Sequence, residues 1–221
     1  MLVVKIIPWM LEIKDLFQNN QINYRHEHQL MKVINRVESN NLEASLSAIN
    51  ELEDLAKNNP QYHWIIMNML SNFIRKNAVN LISEEAHHRQ IIQAAVTVII
   101  NRDINKDPEN EQIDLSHTDL RGLNLKSANL ENTNLYKANL SQANLDNANL
   151  SFAILSAANL SGANLKRVNL SGAILSAANL NGSNLTGANL HRANLYLASL
   201  KNAVLNDVIL AGANLREANF N

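Results

Sequence analysis

The second half of the chain repeats one pattern of apolar and polar positions every five residues. Leucine occupies position 115 and every fifth position after it up to 215, and Phe220 continues the series. Two positions before each of these there is usually a small or β-branched residue, and Asn or Asp usually stands between them. The unit therefore reads A-N-L-x-x, as in Ala143 to Asn147. A period of five matches neither an α-helix nor a flat strand.

The spacing within the unit predicts a short strand followed by a corner. Alanine and leucine are two positions apart, so in an extended segment their side chains point to the same side. The step from leucine to the next alanine is odd, so the chain must turn to keep both inside. All six glycines, Gly162 and Gly172 among them, stand two positions after a repeat leucine, where a turn favours a positive φ. Equal corners predict a coil whose leucines stack.

The segment from Ile113 to Asn221 resembles the pentapeptide-repeat family, whose A-[ND]-L-x-x units form a right-handed, four-sided β-helix. The resemblance implies that four units make a coil of twenty residues. The repeats would then form about five and a half coils, with a stacked length of roughly 25 Å. We predict that residues 113–221 are this β-helix.

Residues 1–112 lack the repeat and are predicted to form an α-helical capping domain, so the fold class is a mainly β solenoid with a helical cap. Apolar residues recur at helical spacing within Leu30–Val37 and within Leu42–Leu55. Asn59-Pro60 indicates a boundary between two helices. The helix containing Ile91–Ile100 is apolar almost all round, and we expect it to cover the open end of the first coil.

Two further segments of the N-terminal region carry expectations of their own. The stretch Ala48–Asn77 resembles helical segments that precede pentapeptide repeats, mainly in cyanobacterial proteins. Leu2–Ile7 is strand-like and is expected to pair with an edge of the protein or with a second subunit.

The start of the chain contains Lys5 and Pro8 within its apolar run and has no small-residue cleavage site, so no signal peptide is predicted. The expected compartment is the cytoplasm.

Charge and cysteine content narrow the possible functions. Residues 1–112 carry eleven basic and fourteen acidic side chains, and residues 113–221 carry eight basic and six acidic ones. Neither half has the one-signed field typical of nucleic-acid or anionic-lipid binding, so no nucleic-acid partner is expected. The chain has no cysteine, which excludes disulfides, thiolate catalysis and cysteine-bound zinc.

Histidine is the main candidate for catalysis or metal binding. Two short groups combine His with Glu: His26-Glu27-His28, and Glu84 with His87 and His88. Neither group has a complete ligand set, and each is interpreted as the polar start of a helix. His63-Trp64 is expected to pack within the cap. Because no nucleophile, base and orienting group can be assembled, we predict a protein that is not an enzyme and that has no cofactor and no metal.

Departures from the repeat suggest an interaction surface. Residues twenty positions apart should stack on one face, so Ile154 and Ile174, which replace the usual Asn, should be neighbours. Bulky apolar residues on or beside the same face complete the candidate partner-binding strip, which comprises Tyr136, Phe152, Ile154, Ile174, Tyr196 and Leu197. A clustered apolar strip on a surface is typical of a binding site. A smaller group near Val204 and Ile209 has a weaker claim.

The sequence favours a non-catalytic scaffold that presents the faces of a solenoid to a protein partner or to its own copy. The last unit ends without a capping segment, so homodimerisation through that coil or through the N-terminal strand is one expectation. The alternative is a DNA-mimic modulator of a type II topoisomerase, as some family members are, but the repeats lack an acidic face. Peripheral membrane attachment through Ile6–Phe17 is disfavoured because that segment has few basic residues.

Overall fold

The computed structural model describes residues 24–39, 41–78 and 86–221. The strand predicted at Leu2–Ile7 and the membrane-binding segment considered at Ile6–Phe17 lie outside these residues. Within these ranges four α-helices precede the repeats: α1 (Tyr24–Val37), α2 (Leu42–Asn58), α3 (Pro60–Asn77) and α4 (Ala86–Ile100), followed by a 3-10 helix (Ile104–Lys106). None of the helices in the described part of the chain is long and apolar enough to cross a membrane.

Polar side chains bond to the backbone at both ends of helix α2. The Asn41 side chain accepts a hydrogen bond from the backbone N–H of Ala44 at 2.9 Å, which caps the start of α2. Asn59-Pro60 divides α2 from α3 as the sequence predicts, but the Asn59 amide does not cap α3. It donates instead to the carbonyl of Leu55 at 3.1 Å and so stabilises the end of α2.

The repeats form a solenoid whose backbone pairs at a register of twenty residues. Each parallel bridge joins the residue before a repeat leucine to its counterpart twenty positions later, from Asp114–Asn134 to Ser199–Asn219. Each strand is therefore reduced to one bridging residue, and four columns of bridges run along the solenoid. The Ile154–Ile174 pair is typical: the N–H of Leu155 donates to the Ile174 carbonyl at 2.7 Å.

A β-turn at every corner directs the chain from one column to the next. The carbonyl of a repeat leucine accepts a hydrogen bond from the N–H three residues later, as from Ala158 to Leu155 at 3.0 Å. The residue two positions after the leucine has a positive φ in every repeat from His117 to Glu217. This holds for the six glycines and also for fifteen residues with side chains, including Ala157 and Phe152.

The leucines and the small residues two positions before them fill the interior. Those from Ile113 to Leu200 are almost all fully buried, and they form one cluster with the buried side chains of the helices. Where a hydroxyl occupies a small-residue position, it bonds within the turn: Ser183 Oγ donates to the Leu180 carbonyl at 2.7 Å. Such a bond compensates for burying the hydroxyl.

Helix α4 and its neighbours satisfy the backbone of the first coil, which has no preceding coil to pair with. The Gln93 amide donates to the Asn124 carbonyl at 3.0 Å and accepts from the Asn124 N–H at 2.9 Å, as a strand residue would. The carbonyl of Ile100 accepts from the N–H of Asn129. These bonds place α4 over the open end of the solenoid, and an edge that would otherwise be unpaired is protected.

A buried arginine joins the helices to the same coil. Arg102 donates to the Asn129 carbonyl at 3.0 Å and to Asp107 at 2.7 Å. Asp107 in turn lies 3.0 Å from Nε2 of His63, which is 3% exposed. Because each of these buried charged or polar groups has a partner, the network holds the cap in place without leaving an uncompensated charge.

Candidate interaction surface

The outward position of most repeats is occupied by Asn for a structural reason. In Asn134 the side-chain oxygen accepts a hydrogen bond from the N–H of Tyr136 at 3.0 Å, which stabilises the following turn. In many repeats the Asn side chain also donates to its counterpart one coil earlier, as from Asn164 to Asn144 at 3.0 Å. An Asn ladder therefore runs along the outside of the solenoid and supplies a turn bond and, in many rungs, a bond between coils.

On one face this ladder is interrupted in two adjacent coils. We call it the isoleucine face, and its outward column consists of Asp114, Asn134, Ile154, Ile174, Asn194 and Asn214. The Asn side chains at each end are bonded, with Asn134 donating to Asp114 and Asn214 donating to Asn194, both at 3.0 Å. Between them the two isoleucines can make neither the turn bond nor the ladder bond, because their side chains have no polar atom.

The structure brings the six residues of the predicted strip to this face and its two edges. Four of them are exposed to solvent: Phe152 at 60%, Leu197 at 48%, Ile174 at 40% and Tyr136 at 37%. Ile154 and Tyr196 are half-buried. An apolar surface that includes the two isoleucines and an edge aromatic therefore extends over at least two adjacent coils. Val204 and Ile209 are exposed as well, but they belong to other columns.

The two tyrosines lie three coils apart, and each is accompanied by a cation. The ammonium of Lys137 is 5.1 Å from the ring centre of Tyr136. The guanidinium of Arg216 is 5.7 Å from the ring centre of Tyr196. Both distances are in the range of cation–π attraction, which restrains the rings. The coils between the tyrosines carry Ser156 and Ser176 at the equivalent position, so the centre of the face is flatter than its ends.

At one edge of the face, a large side chain covers a glycine of the next coil. Phe152 is at a corner with φ of 59°, and its ring lies against Gly172, twenty positions later. A Cβ atom at Gly172 would be 2.7 Å from two ring carbons. The same arrangement recurs along this edge, where a Cβ at Gly212 would be 3.2 Å from Cγ of Arg192. The Phe152 ring can therefore occupy this position because residue 172 has no side chain.

Two of the described histidines, His63 and His117, have packing roles. His63 is buried in the cap with Trp64, as the sequence predicts. His117 lies at an exposed corner and packs edge-on against Tyr136, with 5.3 Å between ring centres. Within the described residues, no group of three or more His, Asp or Glu side chains is arranged to hold a metal ion.

The acidic residues of the repeats are mostly neutralised by neighbouring basic ones. Asp146 pairs with Arg167 at 2.7 Å, and Asp119 pairs with Arg121. Burial alone would raise the pKa of Asp119, but hydrogen bonds from the side chain and backbone of Arg121, with its charge, lower that pKa below the usual value. Asp114 pairs with Arg75 of the cap. The surface therefore has no continuous acidic face.

A family model described as pentapeptide repeats matches eight copies that together span residues 113–221. The chain belongs to the pentapeptide-repeat family. The four-column arrangement, the corner geometry and the Asn ladder extend over the residues that this model covers. In this pentapeptide-repeat protein, Ile154 and Ile174 depart from the Asn or Asp of the repeat unit, and the departure falls on two adjacent coils of one face.

Solved structures of other family members are similar to the repeat region. HetL, a pentapeptide repeat protein involved in heterocyst differentiation regulation in the cyanobacterium Nostoc sp. strain PCC 7120, is 35% identical, with 48% of this chain and 52% of HetL covered and a TM-score of 0.40. Rfr23 from the cyanobacterium Cyanothece 51142 is 34% identical, with 52% of this chain and 69% of Rfr23 covered and a TM-score of 0.23. This pentapeptide-repeat protein thus spans about half the length of HetL.

A pentapeptide repeat protein from the Arabidopsis thaliana thylakoid lumen is 29% identical, with 48% of this chain and 63% of that protein covered and a TM-score of 0.19. Among curated proteins, no sequence matches this chain significantly.

Proposed function

We propose that this pentapeptide-repeat protein is a non-catalytic scaffold that binds a protein through its isoleucine face. The observation that carries the proposal is the replacement of Asn by Ile at positions 154 and 174, which exposes apolar surface in two adjacent coils at a position where most repeats make hydrogen bonds. Because the strip is rigidly held by stacked coils, a partner could bind it without the cost of ordering a loop.

The difference in free energy between Asn and Ile in the outward position supports a binding role for this strip. An Asn in the outward position makes a turn bond and in many repeats also a ladder bond, as at Asn164, and a net contribution of about 0.5–1.5 kcal/mol per bond is typical. An exposed Ile gives up both bonds and recovers only its preference for an extended backbone. Burial of an exposed side chain of this size contributes about 1.5–3 kcal/mol. Contact with an apolar partner surface would therefore offset the loss.

The alternative, a DNA-mimic modulator of a type II topoisomerase, has less support. Such a mimic needs a row of unpaired carboxylates in the place of phosphates. Four of the six acidic residues in the repeats form ion pairs: Asp114, Asp119, Asp146 and Glu217. A supercoiling assay with purified gyrase tests this alternative directly, and we expect no inhibition.

We also propose that residues 113–221 form a right-handed, four-sided tower of about five and a half coils, that residues 1–112 form a separate capping domain, and that the protein acts in the cytoplasm. The twenty-residue register supports the four-sided form, since four bridge columns recur in each twenty residues.

Affinity capture with the purified protein as bait tests the scaffold proposal. We expect the variant with both Ile154→Asn and Ile174→Asn to lose bound protein that the unchanged protein retains. The substitutions restore the acceptor and donor of the repeat, so the fold should remain intact. A circular dichroism spectrum and an unfolding midpoint equal to those of the unchanged protein would establish this.

A matched control is available on another face. Val204 is also an exposed apolar residue in an outward position, with Asn184 one coil before it. Val204→Asn removes comparable apolar surface away from the isoleucine face, and we expect capture to be unchanged. Equal loss in the Val204 variant, or no loss in the double isoleucine variant, would reject the isoleucine face as the binding surface.

A further inference from the structure

The residues of the isoleucine face are arranged symmetrically about a line between the coils of Ile154 and Ile174. The two isoleucines lie on either side of this line, and Asn134 and Asn194 follow at equal distances from it. The positions directly after the repeat leucines are symmetric about the same line, because successive coils carry Tyr136, Ser156, Ser176 and Tyr196 there. The Phe152 ring, which reaches from its own coil to Gly172, lies across the line itself.

We propose that the occupant of the isoleucine face is a second copy of this chain, bound face to face with the two solenoids antiparallel. This inference rests on the proposed binding role of the face and names its partner. The two copies would be related by a two-fold axis that lies at the line of symmetry and runs along the strands. Rotation about this axis superimposes each column of one copy on the same column of the other and exchanges the two ends of the solenoid. A self-complementary patch of this kind is what an isologous dimer requires.

The axis places five of the six residues of the strip against apolar partners, and Leu197 faces Lys137 of the other copy. Ile154 of one copy faces Ile174 of the other, and Tyr136 faces Tyr196 of the other. The two Phe152 rings, each exposed to 60%, meet at the axis. Because Phe152 lies at one edge of the face, the two rings would exclude water from that edge of the interface.

The charges at one end of the isoleucine face disfavour the parallel orientation. Arg192 lies at the corner before Asn194, and Arg216 lies at the opposite edge, one coil later, where it pairs with Glu217. A parallel two-fold arrangement exchanges the two edges, so it would bring Arg192 of one copy near Arg216 of the other and is opposed by like-charge repulsion. Antiparallel docking separates these two arginines and places them at the other end of the second copy, where Asp114 already pairs with Arg75. It also places His117 opposite Glu217.

The size of the face predicts a weak dimer. Six rungs spaced by roughly 4.8 Å and a width of roughly 16 Å give about 400 Å² on each copy. The total of about 800 Å² is below the 1,200–2,000 Å² of stable complexes, so we expect a monomer–dimer equilibrium in the micromolar range or weaker. Measurement must therefore extend to high protein concentration.

Sedimentation velocity from about 5 to 500 µM tests the dimer. We expect the mass to rise with concentration, and the dissociation constant to increase at least about tenfold in the Ile154→Asn, Ile174→Asn variant but not in Val204→Asn. A monomer at all concentrations, or a dimer unaffected by the isoleucine substitutions, would overturn the inference. If the protein stays monomeric but still loses captured protein in the double variant, the proposed function stands and only the identity of the partner is wrong.

Single cysteines test the orientation, because the natural chain has none to interfere. Asn134→Cys and Asn194→Cys proteins, one carrying a tag of distinct mass, are treated separately and as a mixture with a bismaleimide that spans roughly 10 Å, the separation of two packed sheets. Antiparallel docking predicts the mixed cross-link, since position 134 faces position 194 but is displaced by three rungs, roughly 14 Å along the solenoid, from position 134 of the second copy. Cross-links that form mainly between identical variants would show parallel docking and overturn the proposed orientation.

Discussion

The ring of Phe152 rests on Gly172, one coil further along the solenoid, so closely that no side chain can be added there without moving the ring. Most corner residues carry a side chain despite their positive φ, so glycine is not required at a corner by the turn alone. At Gly172 two demands coincide: the left-handed backbone, and the space that the aromatic ring of the neighbouring coil occupies.

Alanine at Gly172 should therefore destabilise the protein more than alanine at Gly182. Both glycines have a positive φ, but a Cβ at Gly182 meets no atom within 4 Å. We expect the left-handed backbone to cost about 1 kcal/mol in each variant. Displacement of the Phe152 ring should add about 1 kcal/mol in Gly172→Ala alone. Urea unfolding gives both values.

The same experiment in a Phe152→Ala background isolates the ring contact. The extra cost of Gly172→Ala should disappear there, while the cost of Gly182→Ala should remain. An extra cost that persists without the ring would mean that the backbone, and not Phe152, opposes the substitution.

Neighbouring alanines at one corner should respond in opposite directions to glycine. Ala157 is exposed with φ of 56°, whereas Ala158 points inward and is 1% exposed. Ala157→Gly relieves the left-handed strain at some entropic cost, so we expect it to stabilise the protein by up to about 1 kcal/mol. Ala158→Gly removes a buried methyl group and should destabilise it by about 1 kcal/mol or more. Thermal unfolding of the two variants provides the comparison.

The Gln93 side chain should be important for attaching the cap. Gln93→Met keeps the length of the side chain but removes both hydrogen bonds to the backbone of Asn124, and we expect a loss of about 1–2 kcal/mol in unfolding free energy. Gln90→Met, on the exposed side of the same helix, is the control and should be nearly neutral. Equal stability of the two variants would show that water replaces Gln93 without cost.

Asp119 should make the stability of the protein sensitive to acid. Because its pKa in the folded state lies below the usual value, its contribution is fully present above the pKa of the unfolded chain. The contribution is lost as the pH falls through the lower, folded pKa. We expect Asp119→Asn to flatten the decline of unfolding free energy below about pH 4. Asp207→Asn, which removes an equal charge at an exposed corner, should leave the slope closer to that of the natural protein.

The repeat region is the part of the fold that the sequence predicts best. Its leucine period leads to the pentapeptide-repeat family, and the structure shows stacking at twenty residues with corners at the glycine positions. A strict period is informative because every unit reports the same geometry, so single exceptions do not hide it. The departures at Ile154 and Ile174 were visible for the same reason. That they form a binding surface stays a prediction.

The junction between cap and solenoid could not be predicted in the same way. Gln93 and Arg102 bond to residues 31 and 27 positions away, and neither belongs to a repeat. The sequence alone does not show whether a polar residue on an apolar helix is solvated or bonds to the edge of a strand. The sequence also does not predict the positive φ of residues such as Ala157, since alanine carries no local signal for that conformation.

The twenty-residue register makes the isoleucine face sensitive to the number of units between its members. Loss of the single unit Ala163–Arg167 would leave the leucine period intact, yet every later residue would move to the preceding column. Ile174 would then align with Asn149 instead of Ile154, and the apolar pair would be divided between adjacent walls. Loss of four consecutive units elsewhere would shorten the molecule without changing any column. Insertions and deletions within the repeats therefore preserve the isoleucine face only when they comprise whole coils of twenty residues.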